Sequence, residues 1–183
     1  MVTDRLADLL FTTCESSKSN LLNEGVLEEN IKFVGNIMTD TYFSNLEKIR
    51  RLKSSEVIRN NIVEREIHEN PDEFSLLTLH RPSNVDSEKV LSSIVNFVCE
   101  KMCEKSFVLW PIHPRTCKSL KNFNLFDKIK QKKKIILLQP LNYLEMMRLN
   151  MDARIVLTDS GGIQEECCMT GTSCITLREN TER

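Results

Sequence analysis

No apolar run in the sequence approaches the roughly 20 residues that a helix needs to cross a bilayer. The first residues also lack the pattern of a signal peptide, because Asp4 places an acid early and the apolar stretch at residues 9–11 is short. The formal net charge of −1 supplies no general excess of positive charge for nucleic acid or an anionic membrane surface. We therefore expect a cytoplasmic protein with neither nucleic acid nor membrane as a partner.

The cysteines lack the spacing of a zinc site or a disulfide framework. The seven positions are Cys14, Cys99, Cys103, Cys117, Cys167, Cys168 and Cys174. An odd, scattered set without a Cys-x-x-Cys pair or nearby histidines favours reduced, mostly buried thiols, which also fits the cytoplasm. Cys99 and Cys103 are four residues apart on a predicted helix, so we expect them to share core packing rather than to bind a metal.

What the chain does contain is a regular alternation of short apolar runs and amphipathic segments. The apolar runs of the second part are Phe74–Leu79, Phe107–Ile112, Ile135–Leu138, Ile155–Leu157 and Cys174–Leu177. Between the first two, apolar residues recur at helical spacing from Val90 to Val98, and Asp86 is positioned to cap that helix. Strands that alternate with helices predict an α/β fold with a parallel sheet covered on both faces.

One of these runs opens a strand–turn–helix motif. After Leu157 come N-cap candidates at Thr158, Asp159 and Ser160, then a glycine pair, a helix over residues 163–169, and Gly171 as its C-terminal stop. A helix whose first residues are glycines leaves its N-terminal amides accessible, and such amides commonly bind a phosphate. An acidic residue in the first turns of the same helix could reach a ribose hydroxyl. The alternative is an ordinary tight turn followed by solvent-facing acids.

Polar side chains collect where the predicted strands end. They are His80 and Arg81, His113 and Arg115, Gln139, Asp159 and Ser160, and Arg178. In an open α/β sheet the ligand crevice lies outside the carboxyl ends of the strands. A single histidine there could be structural, but histidines and arginines that converge on a Ser-Gly-Gly helix start favour an anionic ligand, because the guanidinium fork suits phosphate oxygens.

Several strings in the chain carry a resemblance to a known family. They are Asp8–Glu15, Asn20–Gly25, Val34–Asp40, Leu76–Asp86, Pro111–Thr116, Leu157–Glu166 and Arg178–Arg183. In this order they resemble the non-hydrolysing UDP-N-acetylglucosamine 2-epimerases, and the likeness covers essentially the whole chain. The Ser-Gly-Gly-Ile-Gln-Glu-Glu and Arg-x-x-Thr-Glu-Arg strings together are far more specific than a glycine motif.

The resemblance implies a GT-B-like architecture, in which two Rossmann-like domains hold a nucleotide sugar in the cleft between them. Residues 1–40 would be the tail of the N-terminal domain and the crossover, and residues 41–183 a C-terminal Rossmann-like, UDP-binding domain with an incomplete C-terminus. The implied activity converts UDP-GlcNAc and UDP-ManNAc reversibly, by elimination of UDP to a glycal and readdition with inverted configuration at C2. That route needs no redox cofactor and no metal, and the full-length protein is expected to be a homodimer.

The resemblance also implies roles for individual residues. They are His80 (catalytic, at the diphosphate), Arg81 and His113 (UDP), Ser160, Gly161 and Gly162 (phosphate or adjoining ribose), Glu166 (ribose hydroxyls), and Arg178, Glu182 and Arg183 (sugar side). The segment Pro140–Tyr143 would lie beside the uracil. Fixed donors around the diphosphate fit the chemistry, because UDP leaves as an anion and its charge grows in the transition state.

Two departures from the family pattern bear on activity. Members commonly carry an acid three residues after the histidine of the His-Arg motif, where this sequence has Ser83. The chain also has about half the length of a member, and none of its residues matches the N-terminal carboxylates thought to handle the C2 proton. Since epimerisation needs a base and an acid at carbon, we expect the chain by itself to be inactive, with the N-terminal domain required in cis or in trans.

Two other interpretations remain open. The chain could be a fragment of a GT-B glycosyltransferase that takes the same nucleotide sugar, although such a fragment should lack the Arg-x-x-Thr-Glu-Arg ending. It could instead be a non-catalytic UDP-sugar-binding module.

Overall fold

The computed structural model describes residues 2–63 and 71–179. The chain forms two compact units, Met1–Ser44 and Asn45–Arg183. The division falls within the helix Ile37–Arg51.

The first unit contains one pair of parallel strands. Its elements are α1 (Val2–Leu6), β1 (Leu10–Thr12), α2 (Glu15–Asn23), a short 3₁₀ turn (Glu28–Asn30), β2 (Ile31–Phe33) and the first turns of α3 (Ile37–Arg51). Leu10 of β1 is in register with Ile31 of β2, and both side chains are buried. Gly25, two residues after the last residue of α2, has a φ of 85°, which an L side chain rarely adopts and which lets the chain turn back toward β2.

The second unit alternates strands with helices along the chain. After α3 its elements are α4 (Ser54–Asn61), β3 (Phe74–Thr78), α5 (Pro82–Val85), α6 (Glu88–Phe97), a π-helical turn (Val98–Met102), α7 (Cys103–Lys105), β4 (Phe107–Pro111), α8 (Pro114–Asn122), α9 (Phe126–Lys130), β5 (Ile135–Leu138), α10 (Tyr143–Asp152), β6 (Ile155–Thr158), α11 (Gly161–Thr170) and β7 (Cys174–Thr176).

The strands of this unit form one parallel sheet of five strands in the order β5-β4-β3-β6-β7. The first strand of this sheet along the chain is β3, and it lies at the centre of the sheet, with β4 and β5 on one side and β6 and β7 on the other. This is the order of a doubly wound sheet, in which the chain changes direction between its first and fourth strands. The point of change lies between β3 and β6.

Helices pack on both faces of the sheet, as the alternating pattern predicts. Leu77 and Trp110 belong to one buried cluster, which also contains Leu91 of α6 and Leu120 of α8. The other face carries a second cluster, listed here by element: Val57 and Ile58 of α4, Leu76 of β3, Leu109 of β4, Leu149 of α10 and Cys167 of α11. Consecutive residues of a strand point to opposite faces, so Leu76 and Leu77 serve different cores. The predicted α/β class with a parallel sheet is confirmed.

Some details of the sequence-based prediction are confirmed and others are wrong. Gly171 ends α11 with a φ of 76°, as predicted for a left-handed C-terminal stop. Cys99 and Cys103 are both buried, and the Cys103 thiol donates to the Cys99 carbonyl oxygen at 2.8 Å, as expected of core cysteines. Asp86 does not cap the long helix. It follows α5, Ser87 occupies the position before α6, and the Asp86 carboxylate is instead bound by Arg115.

Within the described residues, no helix combines the length and the apolar composition needed to cross a membrane.

The core makes a testable prediction at one pair of valines. Val108 on β4 is fully buried, whereas Val90 on α6 is 37% exposed. Val108→Ala should lower the free energy of unfolding by about 2 kcal/mol, because it removes buried methyl groups and leaves a cavity. Val90→Ala should change it by less than about 0.5 kcal/mol. Urea unfolding followed by the fluorescence of the one tryptophan, buried Trp110, would measure both, and equal losses would contradict this account of the core.

Candidate functional site

An open cavity of about 180 Å³ lies where four strands of the sheet end. Its lining residues come from the loops after β3 (Leu79, His80), β4 (Ile112, His113), β5 (Pro140, Leu141) and β6 (Ser160), and from Thr78, Pro111, Met146 and Ile163. Apolar walls with a few polar groups are typical of ligand sites. The volume is below the roughly 300–1,000 Å³ of a complete small-molecule pocket, so the cavity can hold only part of a nucleotide-sized ligand.

A buried carboxylate organises the loop at the centre of this edge. Asp159 directly follows β6 and is fully buried. Its oxygens accept hydrogen bonds from the backbone amides of His80 (3.1 Å) and Arg81 (2.8 Å) and from Nδ2 of Asn84 (3.1 Å). Asn84 also donates to the carbonyl oxygen of Leu177 at 2.8 Å, which ties the end of β7 to the same loop. The ends of β3, β6 and β7 are thus joined by one polar network.

The two histidines of the cavity use the same ring nitrogen in opposite ways. Nδ1 of His80 lies 2.9 Å from Oδ1 of Asp159, so it must donate to the carboxylate. Nδ1 of His113 instead accepts from the backbone amide of Arg115 at 3.2 Å and caps α8. The ring centroids are 6.0 Å apart, and both rings line the cavity.

The N-terminus of α11 opens into the same region. Ser160 is its N-cap, and its Oγ accepts from the Ile163 amide at 3.4 Å. Gly161 and Gly162 are the first residues of the helix rather than a turn before it, and the first amides of a helix have no partner within that helix. Without side chains at these two positions an anion could approach the amides closely.

Glu166, one and a half turns into α11, is 8% exposed. Burial raises the pKa of its carboxyl group from 4.5 to about 7, and the charge of Glu165 adds to that effect. The sequence left open a solvent-facing acid at this position, and the burial of Glu166 argues against that alternative. A half-protonated carboxyl group near neutral pH can either accept or donate a hydrogen bond to a ligand hydroxyl.

The arginines of the predicted anion site are placed differently from one another. Arg81 lies three residues after the end of β3 and directly precedes α5, and Arg178 lies two residues after the end of β7; both are partly buried. Arg115 is engaged elsewhere, because its Nε donates to the Asp86 carboxylate at 2.8 Å and a second nitrogen contacts the same group. Glu182 and Arg183 lie outside the described residues.

Sequence reasoning missed the central role of two residues. The sequence predicted Asp159 as a helix-cap candidate and as one of the polar groups at the strand ends, and it predicted no role for Asn84. An acid placed immediately after a buried strand, and facing an apolar environment, was the available signal, because such a carboxylate must find donors. The identity of those donors depends on the pairing of β3 with β6, which the sequence does not display.

The strand order and the cavity at the point of chain reversal define a Rossmann-like α/β domain. The profile of one family, described as UDP-N-acetylglucosamine 2-epimerase, matches residues 1–183. The chain therefore belongs to the UDP-N-acetylglucosamine 2-epimerase family, as the sequence strings predicted, and it matches about half of the GT-B-like structures of that family.

Individual relatives agree with this assignment. The chain is 43% identical to a UDP-N-acetylglucosamine 2-epimerase of Methanocaldococcus jannaschii, a match that covers all of this chain and 49% of the relative. A crystal structure of the M. jannaschii UDP-GlcNAc 2-epimerase in complex with UDP-GlcNAc and UDP matches with a TM-score of 0.86, 43% identity, and coverage of 100% of this chain and 48% of that one.

A more distant solved structure has the same fold. The Neisseria meningitidis UDP-GlcNAc 2-epimerase bound to UDP-GlcNAc matches with a TM-score of 0.77 and 26% identity, over 100% of this chain and 47% of that one. The chain thus spans about half the length of the curated relatives it matches.

The raised pKa of Glu166 predicts a pH-dependent stability. Since the pKa of about 7 in the folded protein lies above the ordinary 4.5, the protonated form stabilises the fold. That contribution is complete at a pH below 4.5 and is lost as the pH rises through about 7. Glu166→Gln should remove up to about 3 kcal/mol of pH dependence from the free energy of unfolding. Urea titrations across this pH range would measure it.

The exposed residue Glu104 provides the matched control. Glu104→Gln should leave the pH dependence as it is in the unaltered chain, because an exposed carboxyl group loses little hydration on folding. If the Glu166 and Glu104 variants showed the same pH dependence, the raised pKa of Glu166 would be wrong.

Proposed function

We propose that this chain supplies the UDP-binding half of a UDP-N-acetylglucosamine 2-epimerase, which interconverts UDP-GlcNAc and UDP-ManNAc. The observation that carries the proposal is the full-length match, at a TM-score of 0.86, to a relative crystallised with UDP-GlcNAc and UDP. The cavity at the strand ends supports it, because that is where a Rossmann-like sheet binds nucleotides. The alternatives of a glycosyltransferase fragment and a non-catalytic module are not favoured, since the relatives are epimerases.

In the proposed site the uracil lies beside Pro140 and Leu141, two apolar residues that line the cavity. The segment Pro140–Tyr143 leads directly into α10, whose N-terminus is held by a capping box between Asn142 and Glu145. This rigid start to the helix supports a fixed position for the loop before it.

The phosphates and ribose occupy the other end of the proposed site. The amides of Gly161 and Gly162, with the Ser160 hydroxyl, bind phosphate or the adjoining ribose, and Glu166 binds the ribose hydroxyls. All four residues belong to the first turns of α11 or to its cap, so one segment of the chain supplies them. The raised pKa of Glu166, about 7, supports its role, since near neutral pH the carboxyl group can donate a hydrogen bond to a ligand hydroxyl or accept one from it.

The remaining assigned residues surround the departing group. His80, Arg81 and His113 face the diphosphate, and Arg178, Glu182 and Arg183 close the sugar side. His80 and His113 support this placement by lining one cavity with Ser160. Positive or hydrogen-bonding groups in these positions stabilise the charge that develops as UDP departs.

The proposed reaction is an elimination followed by an addition. A base removes the proton from C2 while the bond between C1 and the UDP oxygen breaks, which leaves a C1–C2 double bond and free UDP. UDP then adds again at C1 as a proton is delivered to the opposite face of C2. Carbon undergoes no net oxidation, so the proposal includes no redox cofactor, and the family resemblance implies no metal.

The base at C2 is assigned to a domain outside this chain. The resemblance assigns it to carboxylates of an N-terminal Rossmann-like domain, supplied in cis or in trans, with residues 1–40 as its tail and residues 41–183 as the UDP-binding domain. The cavity volume supports a shared site, because about 180 Å³ accommodates only part of a nucleotide sugar. The proposal extends to a homodimer of the longer protein and to the cytoplasm, where the free state of all seven cysteines is expected.

Calorimetric titration with UDP tests the site assignment. The chain should bind UDP weakly, with a dissociation constant in the millimolar range, because part of the cleft is missing. Arg81→Ala should weaken binding by about tenfold or more, since it removes a charge-assisted contact to phosphate.

Arg154 provides the matched control, because it precedes β6 and so lies at the opposite end of the sheet, where it is exposed. Arg154→Ala should bind UDP as the unaltered chain does. Absence of UDP binding by the folded, unaltered chain at millimolar ligand, or equal losses in the two variants, would count against the assignment.

Deuterium exchange tests the assignment of the base. UDP-GlcNAc incubated in D₂O with this chain alone should gain no deuterium at C2, as followed by mass spectrometry, because no group of the chain is assigned to remove that proton. The M. jannaschii relative would serve as the positive control. Clear incorporation with the isolated chain would show that the base lies within it.

A further inference from the structure

We propose that Asp159 is a positioning residue for His80, which it holds in the ring orientation and tautomer that leave Nε2 able to accept a proton from the ligand. His80 faces the nucleotide sugar only if the proposed function is correct, whereas the state of its ring can be established without a ligand. The role differs from that of a structural cap, because it acts on the ring as well as on the backbone.

The contacts of Asp159 are concentrated on one short loop. Its two oxygens accept from the backbone amides of His80 and Arg81, from Asn84 Nδ2 and from His80 Nδ1, at distances of 2.8–3.1 Å. All these donors lie within residues 80–84, whereas Asp159 itself belongs to a strand end 79 residues away from His80. A fully buried carboxylate is costly unless donors surround it, so the loop and the carboxylate are held together.

The ring of His80 is fixed by the same group that fixes its backbone. The amide of His80 lies 3.1 Å from both carboxylate oxygens, and Nδ1 lies 2.9 Å from Oδ1. A carboxylate without a proton can only accept, so Nδ1 carries a proton. In the neutral ring Nε2 then carries no proton. The His80 side chain is 40% exposed and lines the cavity, so Nε2 is available to accept a hydrogen bond there.

His113 is fixed in the opposite tautomer. Its Nδ1 accepts from the Arg115 amide, so in the neutral ring Nε2 carries the proton. The cavity is therefore lined by two different imidazoles, whose ring centroids are 6.0 Å apart. Nε2 of His80 can accept a hydrogen bond, and Nε2 of His113 can donate one. An anionic diphosphate oxygen can bind the donor, while a hydroxyl or a protonated oxygen of the ligand can share its proton with His80.

Nitrogen NMR of the unaltered chain is the first test. In uniformly ¹⁵N-labelled protein at a pH where the rings are neutral, long-range ¹H–¹⁵N correlations distinguish a protonated Nδ1 from a protonated Nε2. His80 should show the Nδ1–H form and His113 the Nε2–H form. His80→Asn and His113→Asn variants assign the signals. An Nε2–H form of His80 would overturn the proposal, whatever the protein binds.

A double-mutant cycle on UDP binding is the second test. Asp159→Asn should weaken UDP binding by about tenfold, because the amide no longer fixes the acceptor tautomer of His80. In the His80→Asn background the same change should cost nothing further, because residues that act through one another are not additive. Full additivity would show that Asp159 serves the backbone alone and would overturn the proposal.

Asn84→Ala is the control for folding. It removes one donor to Asp159 but leaves both His80 contacts, so the NMR signature of His80 should persist. Loss of the Nδ1–H form in this variant would overturn the proposal. If Asp159→Asn does not fold, the His80 tautomer in the unaltered chain and in Asn84→Ala decides the question. If the unaltered chain does not bind UDP, the proposed function fails, and the NMR result still decides the role of Asp159.

Discussion

The position of β3 between β4 and β6 is the constraint on which the rest of the second unit depends. A central strand is buried on both faces, so Phe74–Thr78 consists entirely of buried residues and contains polar side chains only where partners exist. Thr78 illustrates this, because its hydroxyl lies 2.6 Å from that of Thr158 on β6. The pairing brings the two loops of the chain reversal side by side. Asp159 after β6 accordingly finds its hydrogen-bond donors in the loop after β3.

The candidate site therefore combines two physical tasks in a few residues. The buried carboxylate of Asp159 and the amides of the loop after β3 satisfy one another's hydrogen-bonding capacity. Beside these contacts the rings of His80 and His113 and the start of α11 line the cavity, where a ligand is proposed to bind. One arrangement of residues thus provides hydrogen-bond partners for the buried polar groups and holds the exposed groups in position. A small change in the β3–β6 pairing would therefore disturb the stability of the sheet and the arrangement of the candidate site together.

The sequence predicted the fold class because its strong signals are local. The apolar runs of the strands and the helical spacing from Val90 to Val98 can be interpreted from neighbouring residues alone. The left-handed C-terminal stop of α11 can be predicted from a single residue, Gly171. The failures are contacts between distant residues. The local sequence favours Asp86 as a helix cap, but in the structure its carboxylate is bound by Arg115, which is 29 residues away. The burial of Glu166 and the partners of Asp159 depend in the same way on the folded sheet, and neither has a local signature.

The long separation between β3 and β6 also orders events during folding. β3 pairs with β4 through residues about 33 apart, as in Ser75 and Val108, but with β6 through residues such as Ser75 and Ile155, 80 apart. Closing the shorter loop costs less conformational entropy, so the β3–β4–β5 half of the sheet can form before β6 joins it. Along the chain β6 also follows β3, β4 and β5. The cavity at the strand ends is thus complete only after β6 has joined the sheet, so a chain that has paired only β3, β4 and β5 lacks the wall that Ser160 and Ile163 provide.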